Sequence, residues 1–268
     1  MSQKPHPAIR IIAGLVLVIP VALFAWKAMS PAKIPSLPKW KAEREQVESL
    51  AARSAEKRAA EKDAKLVRQL LAENLSDRRF SFATVAEACS GKKVIPLGKK
   101  ESHTTVVAAI NRALEESLVS LSKEDSPVRS LRRINEASKF FEDALHKAIN
   151  AEPDLACGVP VNRNGKAQRS GYPDLRIEHL PSGDVFYLDP KLVENGSWKS
   201  SFRTFYFEPK DETLKITEDA VHLLAGIGHD GNDGAWAFTQ FKLVDLSELR
   251  VRLKAEFQAS NADLYPAK

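Results

Sequence analysis

The sequence predicts an α/β protein in which helices flank a mixed β-sheet, preceded by an apolar N-terminal segment and a charged helical spacer. Two helix-periodic segments come before residue 158, and short strand-like runs separated by turn residues follow it. Another helical pattern closes the chain. Helices, then strands, then a helix are typical of one mixed sheet packed against helices.

The composition is that of a folded protein. The 268 residues are 43% hydrophobic and 28% charged, and the formal net charge is +5. Mild basicity suits a polyanionic partner without requiring one. The two cysteines, Cys89 and Cys157, lack the spacing of a zinc site, and either a disulfide or two reduced thiols is compatible with them.

An uncharged apolar run occupies residues 11–26, and Lys27 follows it. Extended to Met29, the run approaches the length needed to cross a bilayer, so residues 11–29 predict a single-pass membrane anchor. The alternative is a signal peptide cleaved after Ser30, with export of the remainder. Basic residues on both sides of the run leave the side of the C-terminal domain open.

A linker and a spacer are predicted next. Residues 30–38 contain three prolines and predict a stiff linker. Residues 41–75 are rich in Ala, Glu, Lys and Arg without Gly or Pro, which predicts a helix. The run lacks a coiled-coil seam, which favours a solvated spacer. The predicted organisation is an anchor or signal over 1–29, linker and spacer over 30–79, and a folded domain over 80–268.

The folded domain is predicted to contain three helices and five strands. Apolar residues such as Ile134, Phe141 and Leu145 recur at helical spacing before the strand-like runs begin. The predicted helices cover residues 104–121, 128–150 and 247–260. The predicted strands cover residues 172–180, 184–193, 202–208, about 220–228 and 235–244.

The most informative stretch is GYPDLRIEHLPSGDVFYLDPKL, residues 171–192, which predicts a hairpin. A two-residue turn at Ser182–Gly183 would place Asp174 opposite Lys191. It would also place Arg176 opposite Asp189. Alternation then separates a polar face from an apolar face. The polar face would hold Asp174, Arg176, Glu178, Tyr187, Asp189 and Lys191, and the apolar face Leu175, Ile177, Leu188 and Leu192.

In this register Asp174 and Asp189 are diagonal neighbours, about 7–8 Å apart. Two carboxylates at that separation can share Mg²⁺, and the Pro190 carbonyl could complete the ligands. Lys191 could orient a metal-bound water or stabilise charge on a phosphate. The alternative is a solvated face on which these residues form ordinary cross-strand ion pairs.

Pro173–Asp174, followed by Asp189–Pro190–Lys191 on the next strand, resembles the PD-(D/E)xK motif of restriction-endonuclease-like nucleases. The resemblance covers residues 128–260 and implies a restriction-endonuclease-like core. A helix before the motif often supplies a glutamate in that superfamily. Glu142 matches, with Glu136 as a second candidate. The resemblance implies that Asp174, Asp189 and Glu142 bind Mg²⁺, or Mn²⁺, and that Lys191 helps to activate the attacking water.

The predicted function is therefore a membrane-tethered, Mg²⁺-dependent nuclease that hydrolyses phosphodiester bonds, in DNA rather than RNA. A homodimer would suit a double-strand cutter. The alternative is a catalytically inactive, membrane-anchored module of the same fold that binds nucleic acid or protein. Pro190 favours this alternative, because proline removes a backbone donor from what should be a central strand.

Three other patterns have simpler interpretations. His222 and His229 are seven residues apart, which suits no metal pair, so we expect a partly buried His222 and a turn after His229. Residues 202–208 predict a core strand rather than a base-stacking surface. Gln240, on a late strand, could point to the active face.

Overall fold

The computed structural model describes residues 39–265, apart from residues 76, 202–204 and 255. The predicted membrane segment over residues 11–29 and the proline-containing linker lie outside the described residues. Within the described part of the chain, no helix is both long enough and apolar enough to cross a membrane. The chain divides into two compact units between Leu66 and Val67.

The predicted spacer is a single long helix, α1 (Lys39–Ala72). Its described side chains are nearly all exposed, including Val47 and Leu50. Strong helix propensity and pairs such as Arg44–Glu48, with 3.1 Å between Nε and Oε1, suit a helix without an apolar face. The predicted helix over residues 41–75 is confirmed as far as Ala72, and residues 73–75 form a turn.

A six-stranded mixed sheet forms the centre of the second unit. Its strands are β2 (Val94–Ile95), β3 (Leu155–Gly158), β4 (Leu175–His179), β5 (Asp184–Glu194), β6 (Ala220–His229) and β7 (Phe238–Asp245). Their order is β2-β6-β5-β4-β3, and β7 also pairs with β6. β2 and β5 run parallel to β6, and the other pairs are antiparallel. The predicted mixed α/β fold is confirmed.

Two long helices cover one face of this sheet, α3 (Glu101–Leu121) and α4 (Ser138–Ile149). Each buries an apolar stripe at helical spacing. The fully buried members are Val106, Ile110, Leu114, Phe141, Leu145 and Ile149. They pack on alternate residues of the sheet, among them Leu188 and Leu223. This face therefore holds the larger hydrophobic core.

The opposite face carries a smaller aromatic core near the start of β5. Phe82, the first residue of α2 (Phe82–Ser90), meets Tyr172, Phe205 and Phe207 edge-on, with ring centroids 5.4–5.6 Å apart. Tyr187 of β5 belongs to the same cluster. Because strand residues alternate between faces, Asp189 and Lys191 come next on this side of the sheet.

The C-terminal helix predicted over residues 247–260 is wrong. Residues Arg250–Arg252 form β8, which pairs antiparallel with β1 (Arg79–Ser81) in a separate two-stranded sheet. Ser247 does not cap a helix; its backbone N–H and hydroxyl both bind Asp245, each at 2.9 Å. Non-local pairing therefore overrides the local helical pattern. A short helix, α5 (Asn261–Leu264), follows later in the described part of the chain.

Two other predicted elements are also corrected. The helix expected from residue 128 begins only at Ser138, after a 3₁₀ turn at Ile134–Ala137. Residues 205–207 form no strand, and residues 202–204 lie outside the described residues. Phe205 and Phe207 pack into the aromatic core through their rings, while Tyr206 between them is 56% exposed.

The hairpin turn between β4 and β5 has four residues instead of the predicted two. His179 pairs with Asp184, so residues 180–183 form the loop. The backbone N–H groups of Ser182 and Gly183 donate to the His179 carbonyl at 3.2 and 2.8 Å. Gly183 has φ +72°, a conformation that favours glycine. The longer loop shifts the strand register by two residues.

The shift preserves the predicted faces because side chains alternate with a period of two. Leu175 pairs with Leu188, and continuing this register by one residue places Asp174 across from Asp189 rather than Lys191. Arg176 pairs with Tyr187 rather than Asp189. Its guanidinium instead binds both carboxylate oxygens of Glu218, each at 2.6 Å.

Candidate active site

Three predicted site residues converge where β4 begins. Asp174 immediately precedes β4, and Asp189 and Lys191 lie on β5. The ammonium nitrogen of Lys191 is 3.3 Å from Asp174 Oδ2 and 2.7 Å from Asp189 Oδ2. The two aspartates are 9% and 1% exposed. The structure therefore places these carboxylates together, away from solvent and bridged by one lysine.

Pro190 occupies a place in the sheet that tolerates proline. The described pairing of β4 with β5 runs only as far as Leu188, whereas β6 accompanies β5 to Glu194. Pro190 is registered with Ala225 of β6 and lies beyond the β4 pairing. At Pro190, β5 is therefore paired with β6 but not with β4. The missing backbone N–H of Pro190 does not interrupt a strand that is paired on both edges.

The carboxyl group of Asp189 is in an unusual electrostatic environment. Burial, followed by the negative charge of Asp174, raises the pKa of Asp189 to about 7, although Lys191 opposes this shift. Within the described residues neither oxygen of Asp189 accepts a geometrically sound hydrogen bond, even though the Lys191 ammonium lies at ion-pair distance. A buried oxygen without a hydrogen-bond donor destabilises the folded protein unless a bound ligand supplies the missing interaction.

The ammonium of Lys191 responds to the same surroundings. Burial by itself would lower the pKa of Lys191. The attraction of Asp189 and Asp174 outweighs burial, and the net pKa is raised. Lys191 is therefore held as a cation between two carboxylates, with 29% of its side chain exposed.

Glu142 approaches the site from α4. Its side chain is 13% exposed, and Arg169 Nη1 lies 3.3 Å from Oε2. Burial and the negative charge of Asp174 raise the pKa of Glu142, against the attraction of Arg169. Glu142 thus interacts electrostatically with Asp174. Glu136, the second candidate, is exposed and lies in the 3₁₀ turn before α4.

The donor set fits a hard divalent cation in part. Asp174 and Asp189 supply the oxygen ligands that Mg²⁺ prefers, and the unsatisfied buried oxygens of Asp189 match that need. Within the described ranges, no three His, Cys, Asp or Glu side chains are grouped closely enough to ligate one ion. Two carboxylates are therefore assembled, and Glu142 as a third ligand stays a prediction.

A second buried lysine, Lys215, was missed by the sequence analysis. It is 0% exposed, and its ammonium donates to the Gln168 carbonyl at 3.3 Å. Burial lowers the pKa of Lys215, opposed by the charges of Asp174, Asp189 and Glu142. Lys215 lies in an irregular segment before β6. Neither strand periodicity nor a motif marked it.

The polar face continues from Lys191 into a second cluster, which we call the Trp198 platform. Its members are Asn195, Trp198, Gly226, Gly228, Gln240 and Lys242. Lys191 is registered with Gly226, where an added Cβ would lie 3.0 Å from the Trp198 ring. The Lys242 ammonium is 4.5 Å from the centre of that ring. Because Gly226 and Gly228 lack side chains, the Trp198 indole has room to lie beside Lys242.

Gln240 is on the face where the sequence analysis expected it. It is registered with Gly228 of β6 and donates from Nε2 to Asn195 Oδ1 at 3.2 Å. An added Cβ at Gly228 would lie 2.6 Å from that same oxygen. Gln240 therefore helps to order the Trp198 platform.

His222, His229, Cys89 and Cys157 have the contacts of structural residues. His222 is fully buried, and its Nδ1 is 2.8 Å from the Tyr172 hydroxyl. His229 ends β6 and packs edge-on against Trp236, as expected for a residue before a turn. Cys89 and Cys157 are free thiols. Of the two states compatible with the sequence, the unpaired one is observed.

Comparison with known proteins gives the family. Residues 75–268 match the Type II restriction enzyme MjaV family. The chain is also 31% identical over 198 residues to the type II restriction enzyme MjaV of Methanocaldococcus jannaschii. That alignment covers 70% of this chain and 85% of the relative. The chain belongs to the MjaV type II restriction enzyme family.

Proposed function

We propose that this chain is a Mg²⁺-dependent DNA endonuclease with a catalytic centre of the PD-(D/E)xK type. The observation that carries the proposal is the convergence of Asp174, Asp189 and Lys191 on the polar face of the sheet. These residues occupy the Pro-Asp and Asp-x-Lys positions of the motif, within the range that matches a restriction enzyme family. The spacing and the three-dimensional contact support the same assignment.

In this proposal Asp174 and Asp189 hold the divalent cation, with Glu142 as a third candidate ligand. A bound cation supplies Lewis acidity, which lowers the pKa of water and offsets charge on the phosphate. Lys191 lies within reach of both aspartates. It would orient the attacking water and donate a hydrogen bond to the scissile phosphate. The burial of Asp189 keeps bulk water away from this carboxylate.

The Trp198 platform is the proposed surface for the DNA backbone next to the catalytic centre. The Lys242 ammonium lies over the Trp198 ring, and both Lys242 and the neighbouring Lys199 are exposed residues. Lysines of this kind contact phosphates and fix the position of a duplex without reading its sequence. We also propose that two copies of the chain act together, because a two-fold dimer matches the symmetry of duplex cleavage.

Residues 11–29 are proposed to anchor the enzyme to a membrane. The support is the sequence alone, an uncharged apolar run followed by Lys27. Fractionation of cells expressing the full chain tests this attachment. The proposal predicts that the protein resists extraction by alkaline carbonate, whereas a variant without residues 1–29 is extracted. Extraction of the full chain would contradict it.

Nuclease activity is tested by incubating the full chain with linear DNA, supercoiled DNA or RNA. Each substrate is combined with Mg²⁺, Mn²⁺ or EDTA. We expect DNA cleavage that requires a divalent cation and is lost in Asp189→Asn and Lys191→Met. Glu48→Gln and Lys57→Met on the exposed surface of α1 are the matched controls and should retain activity. Cleavage of RNA alone, or DNA binding without cleavage, would contradict the proposal.

A further inference from the structure

Three arginines lie on one face of the small sheet formed by β1 and β8. Arg79 of β1 is registered directly opposite Arg252 of β8, and Arg250 is two residues before Arg252. Because side chains alternate along a strand, these arginines share a face, and Phe80 and Val251 lie on the other. The arginines are exposed, whereas Phe80 and Val251 are partly buried. We call Arg79, Arg250 and Arg252 the arginine ribbon.

The charge of the arginine ribbon is not neutralised within the described part of the chain. No described carboxylate forms an ion pair with its three members, although the flanking cations Arg78 and Lys254 are paired with Glu73 and Glu256. Like charges that lie directly opposite each other destabilise a sheet. The fold therefore holds two arginines face to face without an opposite charge to stabilise them.

The arginine ribbon is fixed to the face of the main sheet that carries the candidate active site. The backbone N–H of Phe82 donates to the Leu249 carbonyl at 2.8 Å and extends the pairing of β1 with β8. Leu249 packs against the aromatic core. The Phe82 ring meets the Tyr172 ring edge-on at 5.5 Å, and Asp174 is two residues after Tyr172. Arg79 is three residues before Phe82, no more than about 10 Å of chain.

The chemistry of the arginine ribbon suits phosphate oxygens. A guanidinium group presents five N–H donors in a planar fork that matches a phosphate. Nη2 of Arg250 donates to the Arg79 backbone carbonyl at 2.8 Å, which orders this side chain across the two strands. Duplex DNA carries a phosphate about every 3.4 Å along each strand. A duplex on the catalytic face therefore offers phosphates to the arginine ribbon as well as to the catalytic centre.

We infer that the arginine ribbon binds DNA phosphates beside the catalytic centre and holds the duplex on the catalytic face. This role rests on the proposed function, because it takes DNA as the substrate of the same face. The arginines act in binding and not in the chemical step. A bound phosphate supplies the negative charge that Arg79 and Arg252 lack in the free protein.

The test measures DNA binding by the full chain in EDTA, which separates binding from cleavage. Fluorescence anisotropy with labelled duplexes of several sequences gives the affinity over a range of salt concentrations. The variant Arg79→Gln/Arg252→Gln removes two positive charges. We expect it to bind every duplex at least about tenfold more weakly at about 0.1 M salt. The slope of log affinity against log salt should become shallower by about two, because two phosphate contacts are lost.

Two further variants show whether charge at these positions is responsible. Arg53→Gln/Arg68→Gln, at exposed positions of α1, removes the same charge and should leave the affinity and the salt slope unchanged. Arg79→Lys/Arg252→Lys retains the charge and should keep most of the affinity, since lysine also binds phosphate. The melting temperature of Arg79→Gln/Arg252→Gln should be unchanged or higher, because two like charges no longer face each other.

Unchanged DNA affinity and salt slope in Arg79→Gln/Arg252→Gln would overturn the inference. Loss of affinity for one sequence alone would also overturn it, since phosphate contacts carry no sequence information. Loss of binding to anionic lipid vesicles with full DNA binding would assign the arginine ribbon to a membrane surface instead. The two proposals fail separately: ribbon-dependent DNA binding without cleavage in Mg²⁺ removes the nuclease, and cleavage with ribbon-independent binding removes the role of the ribbon.

Discussion

The ammonium nitrogen of Lys191 lies 2.7 Å from Oδ2 of Asp189, two residues earlier on the same side of β5. The start of β4 brings Asp174 to the same ammonium from the neighbouring strand, at 3.3 Å. Alternation along β5 places Asp189 and Lys191 on one face, and the pairing of β4 with β5 brings Asp174 to the same face. These residues form the catalytic centre that we propose.

Replacing Asp189 with Asn should change how stability depends on pH. The folded-state pKa is raised to about 7 from an ordinary value of 3.8. The folded state therefore binds this proton more tightly, and the associated stability, present below pH 3.8, is lost as pH rises through 7. Asp189→Asn removes that loss. It should exceed the unaltered protein in unfolding free energy above pH 7 by on the order of 4 kcal/mol.

Urea unfolding between pH 4 and 8 in EDTA measures this difference. Asp233→Asn, at an exposed position in the loop after β6, is the control and should follow the unaltered protein. If the unfolding free energy of Asp189→Asn changed with pH in parallel with that of the unaltered protein, the raised pKa of Asp189 would be contradicted.

His222 should produce the opposite dependence. Burial lowers the pKa of His222 from an ordinary value of 6.5 to about 3. The unfolded state therefore takes up the proton first, and stability that is complete above pH 6.5 is lost as pH falls towards 3. His222→Phe should have a lower plateau, because the Tyr172 hydroxyl loses its partner. The stability of His222→Phe should decrease less than that of the unaltered protein as pH falls from 6.5 towards 3.

Thermal unfolding of His222→Phe from pH 7 to 4 tests this expectation. His146→Gln, an exposed substitution on α4, is the control and should decline as steeply as the unaltered protein. Equal acid sensitivity in all three proteins would show that His222 does not contribute. As pH falls, the lowered pKa of His222 decreases stability, whereas the raised pKa of Asp189 increases it, over overlapping pH ranges. The unaltered protein shows only the sum of these two effects, and the single variants separate them.

Gly228→Ala should destabilise the Trp198 platform. The new Cβ would meet Asn195 Oδ1 at 2.6 Å and the Trp198 ring at 3.0 Å, so both side chains must move. Overpacking of this kind costs about 1–3 kcal/mol. Gly158→Ala on β3 is the matched control, because a Cβ there meets no atom within 4 Å. It should be neutral or slightly stabilising, since alanine restricts the unfolded chain.

Urea unfolding followed by tryptophan fluorescence compares the two alanine variants directly. Equal stability of Gly228→Ala and Gly158→Ala would contradict the close packing of Trp198 on β6.

The faces of the hairpin were predictable from the sequence because they depend only on the parity of residue positions. The pairing partners were not, since Ser182–Gly183 did not reveal that the loop begins at Leu180. A two-residue error was harmless, whereas a one-residue error would have moved Asp174 and Asp189 to opposite faces. The nuclease class predicted from these residues is confirmed by the family, while the role of each residue stays a proposal.

Other features depended on contacts that no local pattern contains. Arg250–Arg252 forms a strand because β1, far away in sequence, supplies its hydrogen bonds. Lys215 is buried in an irregular segment, and a lone lysine between Leu214 and Ile216 carries no signal in a single sequence. Pro190 was predicted to be unfavourable because the sequence does not show where β4 begins.

Single-turnover DNA cleavage by Asp189→Asn, Lys191→Met and the double variant tests the proposed centre most directly. All three are compared with the unaltered chain in Mg²⁺, after unfolding measurements establish that each is folded. If the two residues act as one unit, each single variant should lose about a thousandfold or more in rate, and the double variant should be no slower than the worse single one. A folded single variant that cleaves at the unaltered rate, or losses that multiply in the double variant, would contradict a shared catalytic centre.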